Sequence, residues 1–295
     1  MAADALEAMN PLRRFEIPRR VAAFTGAGVL PALRVESDHS VAEIYQHGAC
    51  VTSFRRHGEE PLLFLSRSSR FDSVSPIRGG VPIVFPWFGA RGSLPQHGYA
   101  RTTPWEVVAV RLVDDGAVAV ELALPRLGGS LVTLEVTVGA SLKLALRVEN
   151  SSIDQQLTFE SCLHPYFHVG AIERVTIRGL EETGYHDCMV DQEFARSGEP
   201  IRIACETDRI YLRHDGDVVI EDEDLGRRIR VRATGAQSTV VWNPWTEKSR
   251  VMQDFGNDDY RTMVCVESGN IGEKAVTLRP GKSAVLEVEY LTEAL

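Results

Sequence analysis

Residues Leu142-Lys143-Leu144-Ala145-Leu146-Arg147-Val148-Glu149 put their large apolar side chains at every second position. Successive side chains of a strand point to opposite faces, so Leu142, Leu144, Leu146 and Val148 share one face while Lys143, Arg147 and Glu149 share the other. An antiparallel strand with one face on a core and one in water has this pattern. The theme repeats across residues 51–295, in runs at 105–113, 117–123, 132–138, 218–221, 229–233 and 239–242. Between the runs stand Asp114-Asp115-Gly116, Leu127-Gly128-Gly129, Asn150-Ser151-Ser152, Asp215-Gly216 and Arg279-Pro280-Gly281, all turn-forming combinations. Many short strands at this spacing, without a long stretch of helical period, predict an all-β fold, a sandwich or barrel.

At 295 residues the chain exceeds a common domain size, yet all-β units often run past 200 residues. We expect one domain over residues 21–295, preceded by an extended arm over residues 1–20. A 44% hydrophobic and 25% charged composition is that of a globular protein with a large core. The formal charge of −9 opposes binding to nucleic acid or anionic membrane, so an anionic ligand would need a local basic pocket. No apolar run approaches the roughly 18 residues of a membrane span. Five cysteines, none in a CxxC pair, suggest neither a zinc cluster nor a disulfide framework. A cytoplasmic location is the expectation.

Three segments depart from the strand pattern. Ser75-Pro-Ile-Arg-Gly-Gly-Val-Pro-Ile-Val-Phe-Pro-Trp-Phe-Gly89 mixes prolines, glycines and large apolar residues around one charge, Arg78, and reads as a buried loop lining a cavity. Leu94-Pro-Gln-His-Gly-Tyr-Ala-Arg101 gathers Gln96, His97 and Arg101, a set able to grip a polyhydroxylated anion; a polar turn before Trp105 explains it equally well. Ser161-Cys-Leu-His-Pro-Tyr-Phe-His168 holds two histidines four apart, but Pro165 disfavours the helix that a metal pair would need. If extended, it puts His164, Tyr166 and His168 on one face, and either histidine also reads as a satisfied core residue. Glu267 ends the β-forming run Thr262-Met-Val-Cys-Val-Glu, either exposed at the strand end or used in a pocket. Asp208 reads as a turn acid beside a strand.

Taken in order, IRGGVPIVFPWFG, PQHGYARTTPWEV, LHPYFHVGAIERVTIRGL, TDRIY, VVWNPW and MVCVESG resemble the aldose 1-epimerase (galactose mutarotase-like) family, in its hexose-6-phosphate 1-epimerase branch, over residues 77–269. The resemblance implies a large antiparallel β-sandwich (the galactose mutarotase-like supersandwich) with a sugar cleft on one face, and interconversion of the α and β anomers of a hexose 6-phosphate. It assigns the general acid to His164 and the general base to Glu267. Sugar and phosphate contacts fall to Arg78, Gln96, Arg101 and Asp208, with His97 beside them. Tyr99 stands where such enzymes often have Phe, and Pro165 follows the acid where the family varies. No metal or redox cofactor is implied, and the partner is a small-molecule substrate taken up by a monomer. Phosphate recognition would rest chiefly on Arg78 and Arg101, and Trp87, Phe88 and Trp242 could wall the sugar. Acid and base are expected to face each other across the bound ring, with Glu267 ionised and His164 protonated. Two other functions fit the same residues: an aldose 1-epimerase for unphosphorylated sugars, and a carbohydrate-binding β-sandwich without catalysis.

Overall fold

The alternation read at Leu142 is a burial alternation in space. In the computed structural model, which describes residues 10–212 and 216–295, the strand Leu142–Asn150 buries every second residue and leaves the intervening ones exposed or half-buried. Its neighbour Ser130–Val138 does the same, with Leu134 opposite Leu146 and Val136 opposite Leu144. Each such side chain contributes about 1.5–3 kcal/mol by leaving water, which fixes which face turns inward. Eight antiparallel strands form this sheet, in the order Val175–Arg178, Val218–Asp222, Arg227–Thr234, Ser283–Ala294, Leu142–Asn150, Ser130–Val138, Val118–Leu127 and Glu106–Leu112.

A second eight-stranded sheet carries the candidate site. Its order is Gln192–Phe194, Tyr185–Asp187, Thr207–Leu212, Ser238–Asn243, Met263–Asn270, Ser161–Leu163 and Ile83–Val84, with Tyr166–His168 also paired to Met263–Asn270. One continuous core joins the two sheets: Val264 and Val266 of one and Leu144, Leu146 and Val288 of the other belong to it, and Phe167 meets Tyr290 at 5.3 Å. The architecture is a single-domain antiparallel β-sandwich. Among the described residues one α-helix occurs, Trp245–Val251, and no helix is long and apolar enough to cross a membrane.

The N-terminal part differs from the sequence reading. A four-stranded sheet, Val21–Thr25, Pro31–Glu36, Ser40–Tyr45 and Val51–Arg56, begins well before residue 51, where the strand signal was first read. Of the expected arm, residues 1–9 lie outside the described residues. Pro11–Phe15 form a 3-10 turn capped by the Asn10 side chain, and Leu12 is buried in the core. Asp215, half of one expected turn, also lies outside the described residues. Three of the other turns contain residues in the left-handed region, among them Asp115, Gly128 and Gly281, whereas Asn150-Ser151-Ser152 turns without one.

Candidate active site

The site is built on one face of the second sheet by strand register. Directly opposed residues of an antiparallel pair project to the same face. Asp208 lies opposite Trp242, Trp242 opposite Cys265, and Cys265 opposite Tyr166, so these four form a row across four strands. The next row runs Ile210, Val240, Glu267. On the far side of Met263–Asn270 the ladder is broken at His164-Pro165, because proline has no N–H to donate. Leu163 opposite Ser268 before the break and Tyr166 opposite Cys265 after it preserve one register, which puts His164 opposite Glu267. Pro165 therefore opens the ladder without shifting it, and the His164 N–H donates instead to the Pro82 carbonyl at 3.1 Å.

His164 Nε2 lies 3.1 Å from Glu267 Oε1. The acid and base expected on opposite sides of a sugar are thus direct neighbours, because cross-strand partners sit closer than a sugar ring is wide. A substrate must approach the pair from the cavity side. Glu267 is 1% exposed, in a strand whose eight residues are all buried. Its Oε2 accepts from the Cys162 thiol at 3.6 Å. Gly269 makes room for that sulfur: a Cβ there would lie 2.8 Å from Cys162 Cβ and 2.9 Å from Sγ.

Burial pushes the Glu267 carboxyl well above its usual range, and the nearby Asp208 adds to the shift. Burial pushes His164 well below its usual range, helped by His97, Arg101 and Arg78. Burial by itself therefore opposes the ionised glutamate and protonated histidine expected across a bound sugar, and favours the neutral form of both. Neutral His164 with protonated Glu267 holds the same number of protons as the expected ion pair, and the two forms differ only in where one proton sits on a 3.1 Å hydrogen bond. The His164 ring stacks on Tyr166, centroids 5.0 Å apart, and meets Trp242 edge-on at 6.1 Å.

A cavity of about 430 Å³ lies over this face, within the range of small-ligand sites, roughly 300–1,000 Å³. All seven residues singled out in the sequence line it: Arg78, Gln96, His97, Arg101, His164, Asp208 and Glu267. Of the three aromatic residues named as walls, Phe88 and Trp242 line it, whereas Trp87 is buried behind it against Tyr99. His168 does not reach it; past Pro165 the strand carries this residue into a separate depression beside Leu63 and Thr262. Lys248, Met252 and Cys188 line the cavity unannounced by the sequence. Lys248 and Met252 arrive on or beside a seven-residue helix too short to leave a periodic signal.

The cations differ in their partners. Arg78 donates from Nε and Nη2 to Asp254 Oδ2 at 3.2 and 3.0 Å and from Nη1 to the Tyr166 hydroxyl at 3.0 Å. Although burial opposes its charge, Tyr166 and Asp254 raise its pKa. Lys248 pairs with Glu206 at 3.0 Å. Arg101 has no carboxylate partner among the described residues: Nη2 donates to the Gln96 carbonyl at 2.7 Å and the buried Nε is unsatisfied. Burial and then repulsion from Arg78 bring its pKa down to about 10, so it keeps its charge at neutral pH. A half-buried guanidinium with free donors is a matched receptor for an oxyanion.

Between Arg101 and His164 sits His97. Its backbone is left-handed at φ +64°, a conformation that costs a non-glycine residue on the order of 1–3 kcal/mol. Gly98, at φ +76°, packs so closely on Phe85 that a Cβ would lie 2.0 Å from the carbonyl oxygen. His97 Nδ1 accepts from the Gly89 N–H at 3.2 Å, and the His97 backbone N–H donates to the Gly89 carbonyl at 2.8 Å. Burial, Arg101 and Arg78 bring its pKa down to about 3, so it stays neutral with its proton on Nε2, a donor in this cavity. Asp208 is raised by burial, against the pull of Lys248.

His164, Cys265 and Glu267 bring one metal-ligating atom each within 4.8 Å of one another. Their surroundings oppose a cation: burial holds the Cys265 thiol and the Glu267 carboxyl protonated, and Arg78 and Arg101 stand nearby. The donor set suits a proton-transfer pair better than a metal.

Comparison with known proteins finds relatives over most of the chain. The chain is 36% identical over 257 residues to a Cenchrus ciliaris protein provisionally named a glucose-6-phosphate 1-epimerase, covering 82% of this chain and 78% of the relative. An Escherichia coli protein of the same provisional name is 33% identical, with 83% and 84% covered. The crystal structure of YeaD from Salmonella typhimurium, provisionally described as a mutarotase, superposes with a TM-score of 0.87 at 27% identity over 95% of this chain and 96% of that one. The model of the family described as aldose 1-epimerase matches residues 31–291, and the chain belongs to that family.

Proposed function

We propose that the protein is a mutarotase that interconverts the α and β anomers of a hexose 6-phosphate, with D-glucose 6-phosphate as the expected substrate. The observation that carries this reading is the coexistence, in one cavity, of a hydrogen-bonded carboxyl–imidazole pair and a guanidinium without a carboxylate partner among the described residues. Ring opening moves two protons at two oxygens bonded to the same carbon, one leaving O1 and one arriving at O5. A pair of groups lying side by side reaches both oxygens from one direction. Groups on opposite sides of the ring would not.

In this mechanism Glu267 takes the O1 proton while His164 delivers one to O5, the C1–O5 bond breaks and the aldehyde forms. Rotation about C1–C2 presents the other carbonyl face, and reclosure returns both protons. The pair passes from imidazolium and carboxylate to neutral imidazole and carboxylic acid as the ring opens, and back as it closes. Burial favours the second form, which lowers the cost of the open-chain state. Arg101 holds the phosphate, with Arg78 fixed behind it by Asp254 and Tyr166; Gln96, His97 and Asp208 meet hydroxyl groups.

Exchange NMR on equilibrated glucose 6-phosphate tests the reading. The protein should accelerate α–β exchange well above the spontaneous rate at catalytic concentrations. A folded preparation that leaves the rate unchanged would sink it.

A further inference from the structure

The carboxyl of Glu267 is held at both of its oxygens. Oε1 lies 3.1 Å from His164 Nε2. Oε2 accepts from the Cys162 thiol at 3.6 Å, and among the described residues this thiol is its one donor. Cys162 is fully buried and lies outside the lining of the cavity, whereas His164 and Glu267 both line it. Oε2 therefore turns toward the packed apolar cluster of Cys162, Val84, Val240 and Ile271, and Oε1 is the oxygen left beside the cavity. The fold reserves the place of the sulfur: Cys162 stands opposite Gly269 in the ladder, and a Cβ at Gly269 would lie 2.9 Å from Sγ. The terminal torsion of a glutamate is broad and roughly two-fold, so the backbone does not fix the plane of the carboxyl and contacts at its oxygens must.

We propose that Cys162 is a positioning residue for the general base: its thiol, donating to Oε2, fixes the plane of the Glu267 carboxyl so that the oxygen shared with His164 is the one that meets the anomeric hydroxyl of the sugar. A thiol is a weak donor, so it orients the carboxyl while competing little for the lone pairs that take up the O1 proton. The thiol has one proton and a second acceptor within reach, the Leu163 carbonyl, also at 3.6 Å; the proposal commits that proton to Oε2. This inference rests on the mutarotase reading above and adds to it a residue that touches neither sugar nor phosphate.

The test measures glucose 6-phosphate exchange and the infrared S–H stretching band on the whole protein and its variants. Cys162→Ala should lower kcat about ten- to a hundredfold, the cost of a misaligned catalytic group, while KM for glucose 6-phosphate stays within about twofold. Cys162→Ser keeps a donor and should recover kcat to within about threefold of the unaltered protein. The Cys162 band, identified by its loss in Cys162→Ala or Cys162→Ser, should lie at a hydrogen-bonded frequency and move in Glu267→Gln. A band that Glu267→Gln leaves in place puts the thiol on the Leu163 carbonyl and overturns the proposal. So does an unchanged kcat in Cys162→Ala, or a loss that Cys162→Ser does not recover. If the unaltered protein fails to accelerate exchange, the mutarotase reading fails; if it accelerates exchange and Cys162→Ala matches it, this inference alone fails.

Discussion

At the scale of single residues, the reading stands on Glu267 and His164. A positioned acid or base typically contributes about 10²- to 10⁴-fold to rate, so Glu267→Gln and His164→Asn should each lower turnover by such a factor while circular dichroism stays native. Glu267→Gln should also stabilise the protein. The folded-state pKa of Glu267 lies above the unfolded value near about 4.3, so its burial costs nothing at lower pH and costs progressively more as pH rises through that range toward the folded value. The melting-temperature gain of Glu267→Gln should therefore be several degrees at about pH 8 and shrink toward about pH 5, at about 2–4 °C per kcal/mol for a domain near this size; a gain independent of pH contradicts the assignment. Gly269 offers a different probe. A methyl at this position meets Cys162 and the Ser161 carbonyl, the latter at 2.6 Å, so Gly269→Ala should cost on the order of 1–3 kcal/mol in urea unfolding and reduce turnover by displacing Glu267's neighbour.

Among elements, the joint between Ser238–Asn243, the helix Trp245–Val251 and Met263–Asn270 decides the shape of the cavity. Asn243 is fully buried; its Nδ2 donates to the Tyr260 and Met263 carbonyls, both at 2.9 Å, and its Oδ1 accepts from the Trp245 N–H at 2.9 Å. Each orphaned buried group costs about 1–3 kcal/mol. Asn243→Ala should lower the unfolding free energy by about 3 kcal/mol or more and raise KM, since Lys248 and Met252 lose their support; an unchanged urea midpoint would refute this role. The long strands were legible at this scale because one face of each meets water and alternation survives. The short pieces around the site were not: Ser161–Leu163, Tyr166–His168 and Ile83–Val84 have two or three residues each, while Met263–Asn270, covered on both faces, shows no period of two and was legible only from its β-forming residues.

For the whole molecule, the contrast is between an overall charge of −9 and a cavity with an excess of positive charge. Long-range steering of an anion is unfavourable, so in the proposed function capture falls to Arg101 at close range. Arg101→Ala should raise KM for glucose 6-phosphate far more than for free glucose in coupled anomerisation assays; equal losses on both sugars remove its phosphate role. Glucose 6-phosphate should also raise the melting temperature, since a ligand at about 100 times its Kd adds about 2.7 kcal/mol, and free glucose at the same concentration should add much less.

Alternation and turn residues by themselves determined that the chain is all-β, a sandwich or a barrel, because one side of each long strand must leave water; the family resemblance singled out the sandwich. The ordered motifs, through the family resemblance, singled out seven polar residues that share one cavity. Tertiary structure alone decided how they meet. Pro165 interrupts a ladder without changing its register, which sets His164 against Glu267; Asp254 and Tyr166 hold Arg78, while Arg101 has no carboxylate partner among the described residues. Register, pairing and burial are properties of residues far apart in the chain, and those properties set where the shared proton rests.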